Sequence, residues 1–460
     1  MAFTDLSFLF VFLPVVWFCY RLAARTKFAN LYILIASLIF YAWGGLTSLA
    51  VLVLILLWNY MSAKLISSQE DESKRRQILY LAVGVDLFVL FFYRYLGVWF
   101  GFALPSLSRL PGLMPAGLSF YLFSCLSCIF DVYREKAPAP DSLIDFGVYA
   151  AFFGRVNMGP IANYSTFRPQ LAEHKLSRQK TQAGMLLFLQ GLFRKVILAD
   201  NFALLYSALA GNTSWIGNLL FGFAYFFQLY FDFSGYSRMA RGTASLFGFT
   251  IDPNFDLPYT ADSVQDFWRR WHISLTSWFR EYIYIPLGGN RVSHSRWLMN
   301  ILCVWVLTGL WHGATLPFLF WGLYQGCLIL LEHAGNRQWL KRMPGWLRHV
   351  YLIITQLIGW TFFSNSSLIS GLSQIGRYFL IGITSFADSA ALFALLNSLV
   401  LLIVAIIVAS GFSKTLALLL KAKTGSSYGK FATAGWVVIF AICVSFIVSA
   451  SAQTFLYAVF

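Results

Sequence analysis

The chain of 460 residues is 58% hydrophobic and 18% aromatic, and only 12% of it is charged. Soluble domains run at about 45–50% apolar and about 25% charged, so a water-soluble globule is excluded and solvation by lipid is expected. The net charge of +15, from 34 Lys and Arg against 19 Asp and Glu, does not indicate nucleic-acid binding, because most of the cations fall in short loops between apolar runs, where the positive-inside rule places them.

A helix needs about 20 mainly apolar residues to cross the hydrocarbon core. In chain order the candidate spans are Leu6–Tyr20, Asn30–Trp43, Leu49–Leu65, Ile78–Leu96, Leu113–Val132, Met185–Leu198, Ile216–Tyr230, Leu298–Gly309, Leu316–Leu331, Val350–Phe363, Ala391–Ser410 and Gly435–Ala450. The first lacks a basic n-region and an A-x-A-type site and is expected to be retained. Phe146–Ile161, with Gly154, Gly159 and Pro160, reads as a re-entrant or interfacial piece, since broken backbone survives at membrane depth only where protein or a water-filled cavity satisfies it. The expected fold is therefore all-α and polytopic, with about 11–12 transmembrane helices plus re-entrant or interfacial helices. Residues 1–460 are read as one domain. Basic clusters follow the first span (Arg21, Arg25, Lys27), the third (Lys64, Lys74, Arg75, Arg76) and the fifth (Arg134, Lys136). Odd-numbered spans thus end inside and the amino terminus lies outside. Arg94, before the Gly97–Pro111 loop, is an exception.

Six cysteines, Cys19, Cys125, Cys128, Cys303, Cys327 and Cys443, sit in apolar stretches. Cys125 and Cys128 are spaced C-x-x-C, but no second pair follows and no His lies nearby, so no metal site or disulfide framework is expected.

From Asp252 to Arg291, polar and aromatic residues interleave, too charged for lipid and too aromatic for a free loop. A helix beginning near Asp262 would carry Trp268, His272, Leu275, Phe279 and Tyr282 on one stripe and Arg269, Thr276 and Arg280 on another. Asp266 and Arg270 are four apart and can pair. Such a helix suits the interface, aromatic side down and cations on phosphates; a surface helix without chemistry would look the same.

No fully charged side chain lies between Leu298 and Leu331, yet the run contains His312. Ionisable groups inside spans are costly and mark function by default. An imidazole, with an ordinary pKa of about 6.5, can sit there neutral, and when neutral it is a competent general base. A histidine satisfied by one carbonyl is the plain alternative. Gly313 and Pro317 would loosen the helix beside it. His174, His294, His333 and His349 lie in polar flanks. Asp232 closes an apolar span and needs a partner, for which Arg269 or Arg270 is expected, in a structural or a catalytic role.

These segments resemble the membrane-bound O-acyltransferase superfamily, in the bacterial branch similar to alginate O-acetyltransferase. The residues that carry the likeness are Phe231–Ser237, Phe267–Ser274, Tyr284–Arg291 and Gly309–Gly313, with weaker matches at Gly159–Ile161, Gly191–Lys195 and Gly359–Phe363. The most family-like core is 115–330. The resemblance implies helices around a central funnel, His312 as the intramembrane catalytic histidine and His272 as the second histidine. It implies multi-pass residence in the bacterial cytoplasmic (inner) membrane. Acetyl-coenzyme A would be the thioester donor from the cytoplasm, a substrate rather than a bound cofactor. Transfer would run toward an extracytoplasmic polysaccharide, with a separate extracytoplasmic acetyltransferase as partner. Trp268, Arg269, Arg270, Trp271, Asp232 and Arg280 would bind the donor or support the site. Arg238, Gln325-Gly326 and Ser364 depart from the family pattern, which bears on the substrate or partner rather than on acyl transfer. Alternatives are D-alanyl transfer to teichoic acid, O-acetylation of peptidoglycan and, outside enzymes, polysaccharide transport.

Overall fold

The computed structural model describes all residues except 102–108, 110–112, 174–175, 334–337, 450–453 and 457–460. His174, part of the Gly97–Pro111 loop and the end of the last predicted span at Ala450 lie outside the described residues. Among the described residues every regular element is helical. The principal helices are α1 (Phe8–Ala23), α2 (Ala29–Ala42), α3 (Leu46–Ser68), α4 (Glu72–Phe100), α5 (Leu118–Tyr133) and α6 (Leu143–Ala151). Next come α7 (Arg178–Ala208), α8 (Trp215–Leu246), α9 (Val264–Arg270), α10 (Ile273–Phe279), α11 (His294–His312) and α12 (Leu316–His333). The chain continues through α13 (Gly345–Ser364), α14 (Leu368–Tyr378), α15 (Ser389–Ala409), α16 (Phe412–Thr424) and α17 (Tyr428–Ser449).

Each of the twelve predicted spans falls on one of these helices. Five, α3, α4, α7, α15 and α17, are long and apolar enough to cross a membrane by length and composition. The remaining spans are shorter or more polar, and some of them are enclosed by protein. α8 shows this. It extends 16 residues past the predicted end at Tyr230, and its second half, Phe231–Ser237 included, is buried. By contrast α17 has 6% of its apolar window buried and faces outward.

Small residues set the central packing. A Cβ on Gly191 would lie 2.5 Å from the Gly235 carbonyl oxygen, and one on Gly242 would lie 2.6 Å from that of Gly184, so α7 and α8 touch backbone to backbone, the usual way polytopic helices gain contact without a hydrophobic driving force. Gly309 and Gly322 do the same for α11 and α12, which fixes the helix end that carries His312.

The predicted re-entrant piece is the short helix α6 followed by irregular backbone. Ser142 caps α6 through the Asp145 amide, which donates to its Oγ at 3.0 Å. Phe152 and Phe153 are fully buried, the Phe153 amide donates to Ser37 Oγ at 3.0 Å, and the Tyr149 hydroxyl donates to the Ser124 and Ala162 carbonyls. Protein groups thus satisfy this broken backbone.

Candidate active site

His312 is the last residue of α11. The chain leaves the helix at Gly313, which is extended (φ −178°), and re-enters one at Leu316. The last carbonyls of a helix lack intrahelical partners; here α4 supplies them. Arg94 donates from Nη2 to the His312 carbonyl, the Tyr95 hydroxyl to the Leu310 carbonyl at 2.7 Å, and Trp99 Nε1 to the Ala314 carbonyl at 2.9 Å. Arg94 and Tyr95 lie in a π-helical turn, Phe92–Leu96, a feature frequent at functional sites. A cation at a helix carboxyl end is also favoured by the helix dipole.

The continuous helix expected from Asp262 is two helices. α9 stops at Arg270, and His272 takes a left-handed conformation (φ +45°, ψ +51°) before α10 begins. A non-glycine residue there costs local strain and persists only where its surroundings fix it. Asn254 does so. Its Oδ1 accepts from the Ser274 amide (3.0 Å) and hydroxyl (2.9 Å) and lies 3.3 Å from His272 Nδ1, while its carbonyl accepts the Ile273 amide at 3.0 Å. Its Nδ2 reaches Ser237 Oγ of α8 at 3.2 Å. The expected stripe survives the break: Trp268, His272, Leu275, Phe279 and Tyr282 are all buried, and Arg269 and Arg280 are exposed.

The break brings the two buried imidazoles to one aromatic wall. Trp311 lies 4.6 Å, ring centre to ring centre, from His312 and 6.1 Å from His272. Phe120 contacts both His272 and Trp311, and Phe233, beside Asp232, meets the His272 ring edge to face at 4.6 Å. Around His312 stand Trp321 at 5.0 Å and Phe363 at 4.9 Å. Trp268 and Trp271 extend this wall. Trp268 Nε1 donates to Gln325 Oε1 at 3.0 Å, and Trp271 lies 4.9 Å from Trp360, which stacks in turn on Trp321. Gln325 is fully buried and anchors Trp268. Arg238 donates to Gln190 at 2.6 Å, and Ser364 to the Thr361 carbonyl at 3.1 Å.

The cations are arranged differently. Arg270 pairs with Asp266 at 2.9 Å, as its spacing predicts. Asp232 does not pair with Arg269 or Arg270. Its partner is Lys195, at 2.8 Å, which also reaches Asp200 at 2.7 Å. The other oxygen of Asp232 accepts the Leu456 amide, and Lys195 also donates to the Thr454 carbonyl. The packing of α7 on α8 through Gly191 and Gly235 puts Lys195 here. Among the described residues, no group of three or more His, Cys, Asp or Glu is placed to hold a metal.

Residues 33–374 match the profile of MBOAT, the membrane-bound O-acyltransferase family. This chain belongs to that family. The acyltransferase is 35% identical over 397 residues to the probable alginate O-acetylase AlgI of Pseudomonas putida, covering 83% of this chain and 81% of that one. It is 37% identical over 387 residues to the probable alginate O-acetylase AlgI of Pseudomonas aeruginosa (80% and 73%). With the peptidoglycan O-acetyltransferase of Helicobacter pylori it shares 32% identity over 416 residues (82% and 79%). It is a multi-pass membrane enzyme of the O-acyltransferase class.

Sequence reasoning did not single out three residues that the structure places around this candidate site: Arg94, Asn254 and Lys195. Each left a trace. Arg94 broke the charge pattern of the loops, Lys195 lies inside an apolar span, and Asn254 stands at the head of the polar and aromatic segment, between two aspartates. What each one touches depends on pairing across the fold.

Proposed function

We propose that the enzyme takes an acetyl group from acetyl-coenzyme A on the cytoplasmic side and passes it toward an extracytoplasmic polysaccharide. Two buried imidazoles that share the Trp311 wall carry this reading. His312 acts as general base, taking the proton of the acceptor hydroxyl as that oxygen attacks the thioester carbonyl, and gives it to the coenzyme A sulfur as the C–S bond breaks. His272 and neighbouring donors orient the donor or stabilise the tetrahedral oxyanion, an interaction strongest in a water-excluded site. Exposed Arg269 and Arg280, with half-buried Arg270, offer charge to the coenzyme phosphates. The relatives named as alginate O-acetylases and peptidoglycan O-acetyltransferase support acetyl as the group moved and a glycan as acceptor. The amino terminus lies outside a bacterial cytoplasmic membrane, residues 1–460 work as one domain, and a separate extracytoplasmic acetyltransferase completes transfer to polymer.

The test is H312A. In this variant membrane insertion persists while glycan acetylation falls by about 10²–10⁴. Near-normal acetylation by a well-expressed variant refutes the assignment. A strict requirement for an aminoacyl carrier protein refutes the donor.

A further inference from the structure

Away from the histidines, α8 forms the floor of a cleft of about 490 Å³. Leu220, Phe223 and Phe227 of α8 line it, with Ile353 of α13 on one side and Leu402 and Ala409 of α15 on the other. The Ile216 amide donates to the Phe386 carbonyl at one end, where Trp215 stacks on Phe386 at 4.7 Å. At the other end Thr260 and Ser410 bring hydroxyls to the lining, and Arg270 Nη1 lies 3.5 Å from Thr260 Oγ1.

A void of this size is not left empty, because the destabilisation from lost contacts grows with cavity volume. Water does not fill it, because each buried water needs two to four polar partners and the walls are nearly all hydrocarbon. The neighbouring face of α15, with Leu399 and Ile403 about half exposed, is turned toward lipid. The floor from Ile216 to Phe227 runs about 16 Å at about 1.5 Å per residue. One leaflet of hydrocarbon is about 15 Å deep, half of a core of about 30 Å. We propose that this cleft holds one acyl chain of a bilayer phospholipid, with its headgroup at the end marked by Thr260, Ser410 and Arg270. The chain also backs the active-site wall, since Tyr259 at this end stacks on Phe226 at 4.0 Å and lies 6.0 Å from Trp271, the residue before His272.

The full chain is reconstituted in phosphatidylethanolamine–phosphatidylglycerol vesicles carrying a trace of phosphatidylglycerol with a diazirine near its acyl terminus. After irradiation, labelled peptides are mapped by mass spectrometry. Residues 216–223 and 395–402, at the end away from the headgroup, should be labelled severalfold above α17, a helix more open to bulk lipid. A409F and L402W, which fill the cleft from two positions, should each reduce that excess to the α17 level with α17 labelling unchanged. Labelling no greater than on α17, or an excess that persists in whichever filled variants insert, overturns the proposal. Loss of the excess on adding palmitoyl-coenzyme A also overturns it, assigning the cleft to the tail of a thioester donor.

Discussion

Replacing Lys195 with Met should be far more damaging than replacing Asp232 with Asn, although the two side chains pair with each other. Both are 2% exposed, whereas Asp200 is 19% exposed. K195M removes the cation that serves both carboxylates and leaves Asp232 buried and unpaired, a change that costs about 3–5 kcal/mol. D232N leaves the Lys195–Asp200 pair at 2.7 Å intact and loses a charge-assisted hydrogen bond to Lys195 and the anion that the Leu456 amide faces, together about 1.5–3 kcal/mol. The double variant retains an unpaired Asp200, but one that water reaches, so its loss should be smaller than the sum of the two single losses. Thermal unfolding in detergent micelles, alongside chain abundance in membranes, reads all three. Equal destabilisation by D232N and K195M would refute the charge argument. Loss of acyl transfer by D232N at unchanged thermal stability would move Asp232 from support into the chemistry.

N254A should free the left-handed His272 and strand the Ser274 amide, at a cost of about 1–3 kcal/mol. Acyl transfer should fall further than stability accounts for, and unchanged kcat in a folded variant would show that Asn254 does not position His272. A cysteine placed at Ser73, in the first turn of α4, should resist an impermeant thiol reagent in intact cells and react after permeabilisation; labelling without permeabilisation would reverse the proposed orientation. Asp388 caps α15 by accepting the Ala391 amide at 2.7 Å, and this bond holds its carboxyl below the usual carboxylate range. The capping contribution should therefore be present above the ordinary value of about 3.9 and lost as pH falls through the lower folded value. Amide exchange in the first turn of α15, corrected for intrinsic rate, should speed up at that acid step, and in D388A it should be fast already at pH 7.

The spans were legible because lipid imposes a single compositional rule on any helix it touches. α15 and α17, with mean hydropathy 2.9 and 2.4 over their apolar windows, follow it without exception. The rule loses force inward. The end of α8 was misread at Tyr230 because Asp232, Ser234 and Ser237 look like an exit into water, whereas α7 and the Asn254 turn surround them with partners. Polar residues in a span signal either its end or its interior, and local sequence alone does not separate the two.

The burial of His312 within its span was legible for a related reason. An ionisable residue amid apolar neighbours needs explaining, and His312 and His272 are both buried among aromatic rings. The helix drawn through His272 was wrong in a particular way. Periodicity reports which residues share a face, and the stripe from Trp268 to Tyr282 is indeed buried, but a left-handed residue can preserve the face while turning the axis. That turn depends on Asn254, 18 residues upstream, and therefore on tertiary structure. The same holds for Arg94, whose acceptor, the His312 carbonyl, lies 218 residues away. An arginine that violates a charge pattern in a span announces a buried partner without identifying it. Here the partner is the backbone of the catalytic candidate, so the residue that made the topology untidy also fixes the end of α11.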